Sequence, residues 1–148
     1  MGVSIGIAWT LLNTFVLEPL IVGITGVSLD LSAFGGIKGN VKSFTIWLTF
    51  TWTLAAFGEE IAFRGYFLRR SIDLLGESKA DRALSLILNS LCFGFGHLYQ
   101  GISGFIDACI FAAVMGLLFF VSARNLWLPI IAHGVDDTIA FTALFLGL

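Results

Sequence analysis

The sequence predicts an all-α, polytopic transmembrane helical bundle with about five spans. Only 12% of the 148 residues are charged and 57% are hydrophobic, whereas about 25% of the residues of a soluble domain are charged. Mean hydropathy is +0.95. Several apolar runs approach the roughly 20 residues that a helix needs to cross a bilayer. The predicted spans are residues 3–27, 44–68, 83–99, 105–123 and 126–148.

The spans are expected to form one domain, residues 1–148, with its functional motifs in residues 44–148. No strand alternation points to a barrel, and helices and closed barrels are the two backbone arrangements that satisfy their polar groups in lipid. The net charge is −2 without a basic patch, so nucleic acid is excluded as a partner and the lipid bilayer is expected. The sequence leaves the oligomeric state open.

The distribution of Lys and Arg predicts the orientation, because cytoplasmic links are enriched in both. If the spans alternate, five basic residues fall on one side and two on the other. The five are Arg69, Arg70, Lys79, Arg82 and Arg124, and the two are Lys38 and Lys42. This bias predicts a cytoplasmic N-terminus and a cytoplasmic link 69–82.

The first two spans each contain polar residues within apolar sequence. Glu18 and Pro19 predict either a proline kink in the first span or a broken helix of the kind that transporters use. In the second span, Glu60 and Arg64 are four residues apart and share a helical face, so they can pair. Glu59 points about 100° away on the same turn. We therefore expect Glu59 to be the carboxylate that remains free for chemistry.

The third and fifth spans contain the two histidines. Phe93 and His97 are spaced i, i+4, and Gly94 and Gly96 between them predict a close helix approach. His133 and Asp137 have the same spacing, so that carboxylate can orient or charge the imidazole. Asp136, beside it, is expected to be an ordinary helix-face residue.

The polar groups of these three spans are predicted to meet at one depth. From the helical rise, Glu59, His97 and His133 lie roughly 15, 22 and 13 Å from the cytoplasmic face, and helix tilt brings these values together. A charge at mid-bilayer costs about 2.5–3.5 kcal/mol on insertion scales. Such residues are therefore expected to form a common buried site.

Two hydrolytic mechanisms suit these groups. Water held between Glu59 and His97 can attack a peptide carbonyl, with His133 stabilising the oxyanion or reprotonating the leaving amine. The same set, Glu59, His97, His133 and Asp137, also suits zinc and a metal-bound hydroxide. No HExxH motif is present, and the chemistry leaves the metal-free and zinc mechanisms open.

Three motifs resemble those of the CAAX prenyl protease and bacteriocin-processing (CPBP, or Abi) family of intramembrane proteases. "EEIAFR" at 59–64 resembles the EExxxR motif, "FGFGH" at 93–97 resembles FxxxH, and "HGVDD" at 133–137 resembles HxxxN/D. The resemblance implies a glutamate-dependent, metal-independent endopeptidase of a prokaryotic inner membrane. Its substrates would be prenylated CAAX segments or bacteriocin- and pheromone-like peptides.

The resemblance also implies residue roles. Glu59 and His97 would activate water, His133 and Asp137 would line the oxyanion side, and Glu60, Arg64 and Phe93 would support them. Two departures stand out. Family members often have more than five spans, and prenyl proteases have Asn where this chain has Asp137. Asp137 is therefore protonated, or it only orients His133, or it binds a metal.

The sequence also admits three rival functions. Ser103 with His133 superficially resembles a rhomboid dyad, although Ser103 is expected in a Gly-Ser turn at the opposite face. A non-catalytic membrane binding or immunity scaffold could keep the same polar cluster. A transporter could use intramembrane acids as a proton relay, but no inverted repeat is apparent.

Overall fold

A computed structural model describes all 148 residues, and the chain is helical without strands. This confirms the predicted all-α class. Two π-helical segments, in which hydrogen bonds join residues i and i+5, interrupt the α-helices at Asn13–Leu17 and Thr51–Leu68. Short 3₁₀ turns occupy Ser32–Phe34 and Leu98–Gln100. The α-helices are α1 Gly2–Leu12, α2 Glu18–Thr25, α3 Val41–Phe50, α4 Arg69–Leu75, α5 Lys79–Gly96, α6 Gly101–Val121 and α7 Trp127–Leu146.

The five predicted spans correspond in order to five helical stretches. Three of these are long and apolar enough to cross a membrane: Gly2–Thr25, Leu98–Val121 and Trp127–Leu146. The stretches around residues 44–68 and 83–99 are helical but more polar, because they contain Glu59, Glu60 and Arg64 in one case and Asn89 and two serines in the other. The chain is therefore an integral membrane protein whose more polar helices pack among apolar ones.

The first span is continuous through Glu18 and Pro19. Pro19 lies at the start of α2, directly after the π-helical turn Asn13–Leu17. Proline lacks an amide hydrogen and crowds the preceding turn, and a wider turn at that point accommodates it. The position where a kink was expected is thus a locally wider helical turn, and Gly2–Thr25 forms one 24-residue span.

Small residues mark the closest helix contacts. A Cβ on Gly6 of α1 would lie 2.6 Å from the carbonyl oxygen of Ala132 on α7. A Cβ on Gly94 of α5 would lie 2.9 Å from the carbonyl oxygen of Phe105 on α6. The predicted close approach is therefore confirmed at Gly94. It is wrong at Gly96, where nothing lies within 4 Å, because that glycine faces away from α6.

A group of polar residues organises the link between α4 and α5. Ser78 caps α5, since its hydroxyl accepts from the amide of Asp81 and Asp81 accepts from the amide of Ser78. The carboxylate of Glu77 accepts from Arg82 at 2.8 Å and from Arg124 at 3.2 Å. Glu77 therefore ties this link to the turn between α6 and α7.

Candidate active site

The π-helical segment Thr51–Leu68 positions the first motif. Its buried residues are Thr51, Ala56, Glu60, Arg64 and Leu68. They recur at steps of five and then four residues, a longer interval than the 3.6-residue turn of an α-helix. The wider turn keeps one continuous face of this segment, including both charged side chains, pointed into the bundle. The sequence gives no signal for this geometry, since π-helical turns have no strong composition.

Glu60 and Arg64 form a fully buried ion pair. Arg64 Nη1 donates to Glu60 Oε1 at 3.0 Å, and both side chains are 0% exposed. Arg64 Nη2 donates to the carbonyl of Ala112 on α6 at 3.1 Å. The guanidinium also lies over the ring of Phe93, 4.9 Å from its centroid. Arg64 thus joins the π-helical segment to α5 and α6.

His133 shares the same carboxylate oxygen, a contact that the motif spacing did not predict. Its Nδ1 lies 3.0 Å from Glu60 Oε1. Because a carboxylate only accepts, Nδ1 is the donor. Glu60 Oε1 therefore accepts from both Arg64 and His133. A buried carboxylate beside an arginine on one helix would need a second donor from elsewhere, and this need is the only sequence signal that could have indicated the contact.

Asp137 lies on the other side of the His133 ring. Its Oδ2 is 3.7 Å from His133 Nε2, consistent with the predicted i, i+4 pairing. The imidazole is thus held between Glu60 at one nitrogen and Asp137 near the other. This geometry favours an orienting role for Asp137 over direct donation to an oxyanion.

His97 is fixed by Phe93. Their rings stack 4.7 Å apart at 22°, and His97 Nδ1 lies 3.0 Å from the Phe93 carbonyl oxygen. That oxygen can only accept, so Nδ1 donates to it and the lone pair of the neutral ring resides on Nε2. His97 therefore offers a proton acceptor at Nε2.

Glu59 lines the same cavity as His97, His133 and Asp137. The cavity has a volume of about 760 Å³. Glu59 is half-buried, and neither an ion pair nor a hydrogen bond occupies its carboxylate. Glu60 does not line this cavity. The two neighbouring glutamates thus face different surroundings, one open and one closed.

Two other predicted residues have structural partners. Asp136 also lines the cavity and accepts a hydrogen bond from Thr10 of α1 at 2.7 Å, so it links α7 to the first span instead of lying on a free helix face. Ser103 lies in the first turn of α6 and not in a Gly-Ser turn before it. Its hydroxyl donates to the Val27 carbonyl at 2.6 Å. That hydroxyl anchors a loop and does not contact His133.

The structure brings no three His, Cys, Asp or Glu side chains together as a metal-binding cluster. The residues named for zinc, Glu59, His97, His133 and Asp137, share one cavity without converging on one point.

The fold and the site together define a class: an integral membrane protein with a buried ion pair, two fixed imidazoles and a free carboxylate around a partly open cavity. The model of the type II CAAX prenyl endopeptidase Rce1-like family matches residues 41–139, and the chain belongs to this family. The match agrees with the resemblance of the three motifs and supports a CAAX-type intramembrane endopeptidase. Searches of curated proteins and of solved structures returned no match.

Proposed function

We propose that the chain is a glutamate-dependent intramembrane endopeptidase that hydrolyses peptide bonds of membrane-associated peptides. The observation that carries this proposal is that an unoccupied Glu59 carboxylate and the His97 imidazole line the same cavity. Both groups can accept a proton from water. The atoms that would accept it, the Glu59 carboxylate oxygens and His97 Nε2, are not hydrogen-bonded to the rest of the bundle. They are the two general bases that we assign to a hydrolytic water.

In the proposed reaction, Glu59 and His97 hold the water and Glu59 takes its proton as the oxygen attacks the peptide carbonyl. The oxyanion forms on the side of His133, whose ring is fixed by Glu60 and Asp137. The C–N bond then breaks, and the amine leaves with the proton that Glu59 received. The Glu60–Arg64 pair and Phe93 keep the two imidazoles in place.

The cavity supports a peptide substrate. Its volume of about 760 Å³ is within the range of ligand sites, and most of its lining side chains are hydrophobic. The substrate classes we propose are prenylated CAAX segments and bacteriocin- or pheromone-like peptides. We also propose a cytoplasmic N-terminus, based on the distribution of basic residues.

The test uses the full chain in liposomes with fluorogenic peptides, one set carrying a prenylated C-terminal cysteine and one set unmodified. Glu59→Gln should lower kcat about 10²–10⁴-fold, the range for a lost general base. It should unfold like the wild type, because Glu59 holds no partner. Asp73→Asn, an exposed carboxylate on α4, is the matched control. Full activity of Glu59→Gln would overturn the proposal.

Two further outcomes separate the alternatives. If a chelator abolishes cleavage and zinc restores it, the mechanism is metal hydrolysis through some of the same residues. If none of the peptides is cleaved by the wild type but a labelled peptide is bound, the chain is a binding scaffold instead of a protease.

A further inference from the structure

A row of polar side chains lies inside the bundle on α5, outside the cavity. Ser85 and Asn89 are 0% exposed and Ser90 is 7% exposed. The Ser85 and Ser90 hydroxyls and both polar atoms of the Asn89 amide have no hydrogen-bond partner in the protein. Burying a polar group without a hydrogen-bond partner is unfavourable, so four such atoms on one helix face need an explanation.

The buried ion pair carries two more such atoms. Arg64 Nε and Glu60 Oε2 are buried and have no hydrogen-bond partner in the protein. The other polar atoms of the two groups, Arg64 Nη1 and Nη2 and Glu60 Oε1, are hydrogen-bonded. Both side chains are 0% exposed. The charged pair is therefore only partly satisfied by the protein.

The two sets of unpaired groups lie on helices that pack against each other. Leu86 of α5 packs against the cluster of Leu68, Ile72 and Phe119, and Phe93 of α5 lies under the Arg64 guanidinium. Arg64 and Leu68 are consecutive buried positions of the π-helical segment. Asn89 and Ser90 fall between Leu86 and Phe93 along α5, so they lie between the levels of Leu68 and Arg64, and Ser85 lies one turn beyond, on the Leu68 side.

We propose that Ser85, Asn89 and Ser90, together with Arg64 Nε and Glu60 Oε2, form an internal water-binding site behind the catalytic cavity. Buried waters in proteins typically make about three hydrogen bonds to otherwise unpaired polar groups, and this site supplies donors and acceptors of both kinds. The bound water completes the hydrogen bonding of Glu60 and thereby holds His133 in position. Asn89 is thus a positioning residue.

Met115 reports on this site. It belongs to the buried face of α6, is 0% exposed, and falls between Ala112, which accepts from Arg64, and Gly116, which lies under Leu86. Met115 does not line the catalytic cavity. The other methionine, Met1, is 87% exposed. Water held at the proposed site would therefore lie close to one methionine and far from the other.

The experiment is brief X-ray radiolysis of the full chain in nanodiscs, which generates hydroxyl radicals from bound water, with mass spectrometry of both methionines. Met115 should be oxidised in the wild type despite its burial. Asn89→Leu, similar in size but apolar, should reduce that labelling to background, whereas Asn89→Ser should retain it. Met1 should be labelled equally in all variants. Background labelling of Met115 in the wild type, or equal labelling in Asn89→Leu, would overturn the proposal.

A second variant and a second readout keep the test decisive. If Asn89→Leu does not fold, Ser85→Ala removes one hydroxyl and should lower Met115 labelling in part. The kinetic readout rests on the proposed function: Asn89→Leu should lower kcat with KM unchanged, and Asn89→Ser should restore kcat. If no peptide is cleaved by any variant, the proposed function fails, while the labelling still decides the water site.

Discussion

Replacing Arg64 by methionine tests whether the buried ion pair holds the bundle together. Methionine keeps a long apolar side chain but removes three interactions: the donation to Glu60 at 3.0 Å, the donation to Ala112 at 3.1 Å and the contact with the Phe93 ring at 4.9 Å. The Glu60 carboxylate then stays buried with His133 as its one remaining protein partner.

The expected cost is about 3–5 kcal/mol of unfolding free energy, the range for removing one partner of a buried pair. Both side chains are 0% exposed, so solvent screening does not reduce this figure. Arg70→Met is the matched control, because Arg70 pairs with Asp73 at 3.1 Å while the two side chains are 65% and 57% exposed. That variant should change the free energy by less than about 1 kcal/mol.

The assay is equilibrium unfolding in mixed micelles, followed by the fluorescence of the four tryptophans. Adding Glu60→Gln to Arg64→Met should cost less than the sum of the single changes, because the double variant no longer buries an unpaired charge. The reasoning is refuted if Arg64→Met is as stable as Arg70→Met, or if the two changes are additive.

Two further predictions concern helix contact and pH. Gly94→Ala should destabilise the protein by about 1–3 kcal/mol through overpacking, since the added Cβ would meet the Phe105 carbonyl. Gly96→Ala is the control and should be tolerated. Equal shifts of the melting temperature in the two variants would contradict this account. Hydrogen bonds from Arg124 and then Arg82 lower the pKa of Glu77 below its usual 4.5. The resulting stability is complete above pH 4.5 and is lost as the pH falls through the lowered value, so acid melting curves of Glu77→Gln should fall less steeply than those of the wild type.

The sequence predicted the class of fold because composition and apolar run length are sufficient for it. It also predicted the Glu60–Arg64 contact, since two opposite charges four residues apart in lipid have few other ways to be satisfied. Residue spacing further indicated that Glu59 would lack a partner and that Asp137 would lie beside His133. These contacts are local, and helical geometry alone determines them.

Other contacts depend on how distant segments pack, and the sequence did not predict them. The bond from His133 to Glu60 joins residues that are 73 positions apart, and that from Thr10 to Asp136 spans 126 positions. The difference between Gly94 and Gly96 arises from the direction in which α6 approaches α5. The π-helical geometry of Thr51–Leu68 reflects tertiary packing, because its residues have no propensity that would distinguish it from an α-helix.

The neighbouring glutamates have a consequence for solvent exchange. Glu59 faces the cavity and Glu60 is buried away from it, so two consecutive residues of one helix lie in an open and a closed environment. Solvent should therefore reach the Glu59 carboxyl group much faster than the Glu60 carboxyl group, although the two are chemically identical. A carboxyl-modifying reagent that fits the cavity should therefore react faster with Glu59 than with Glu60.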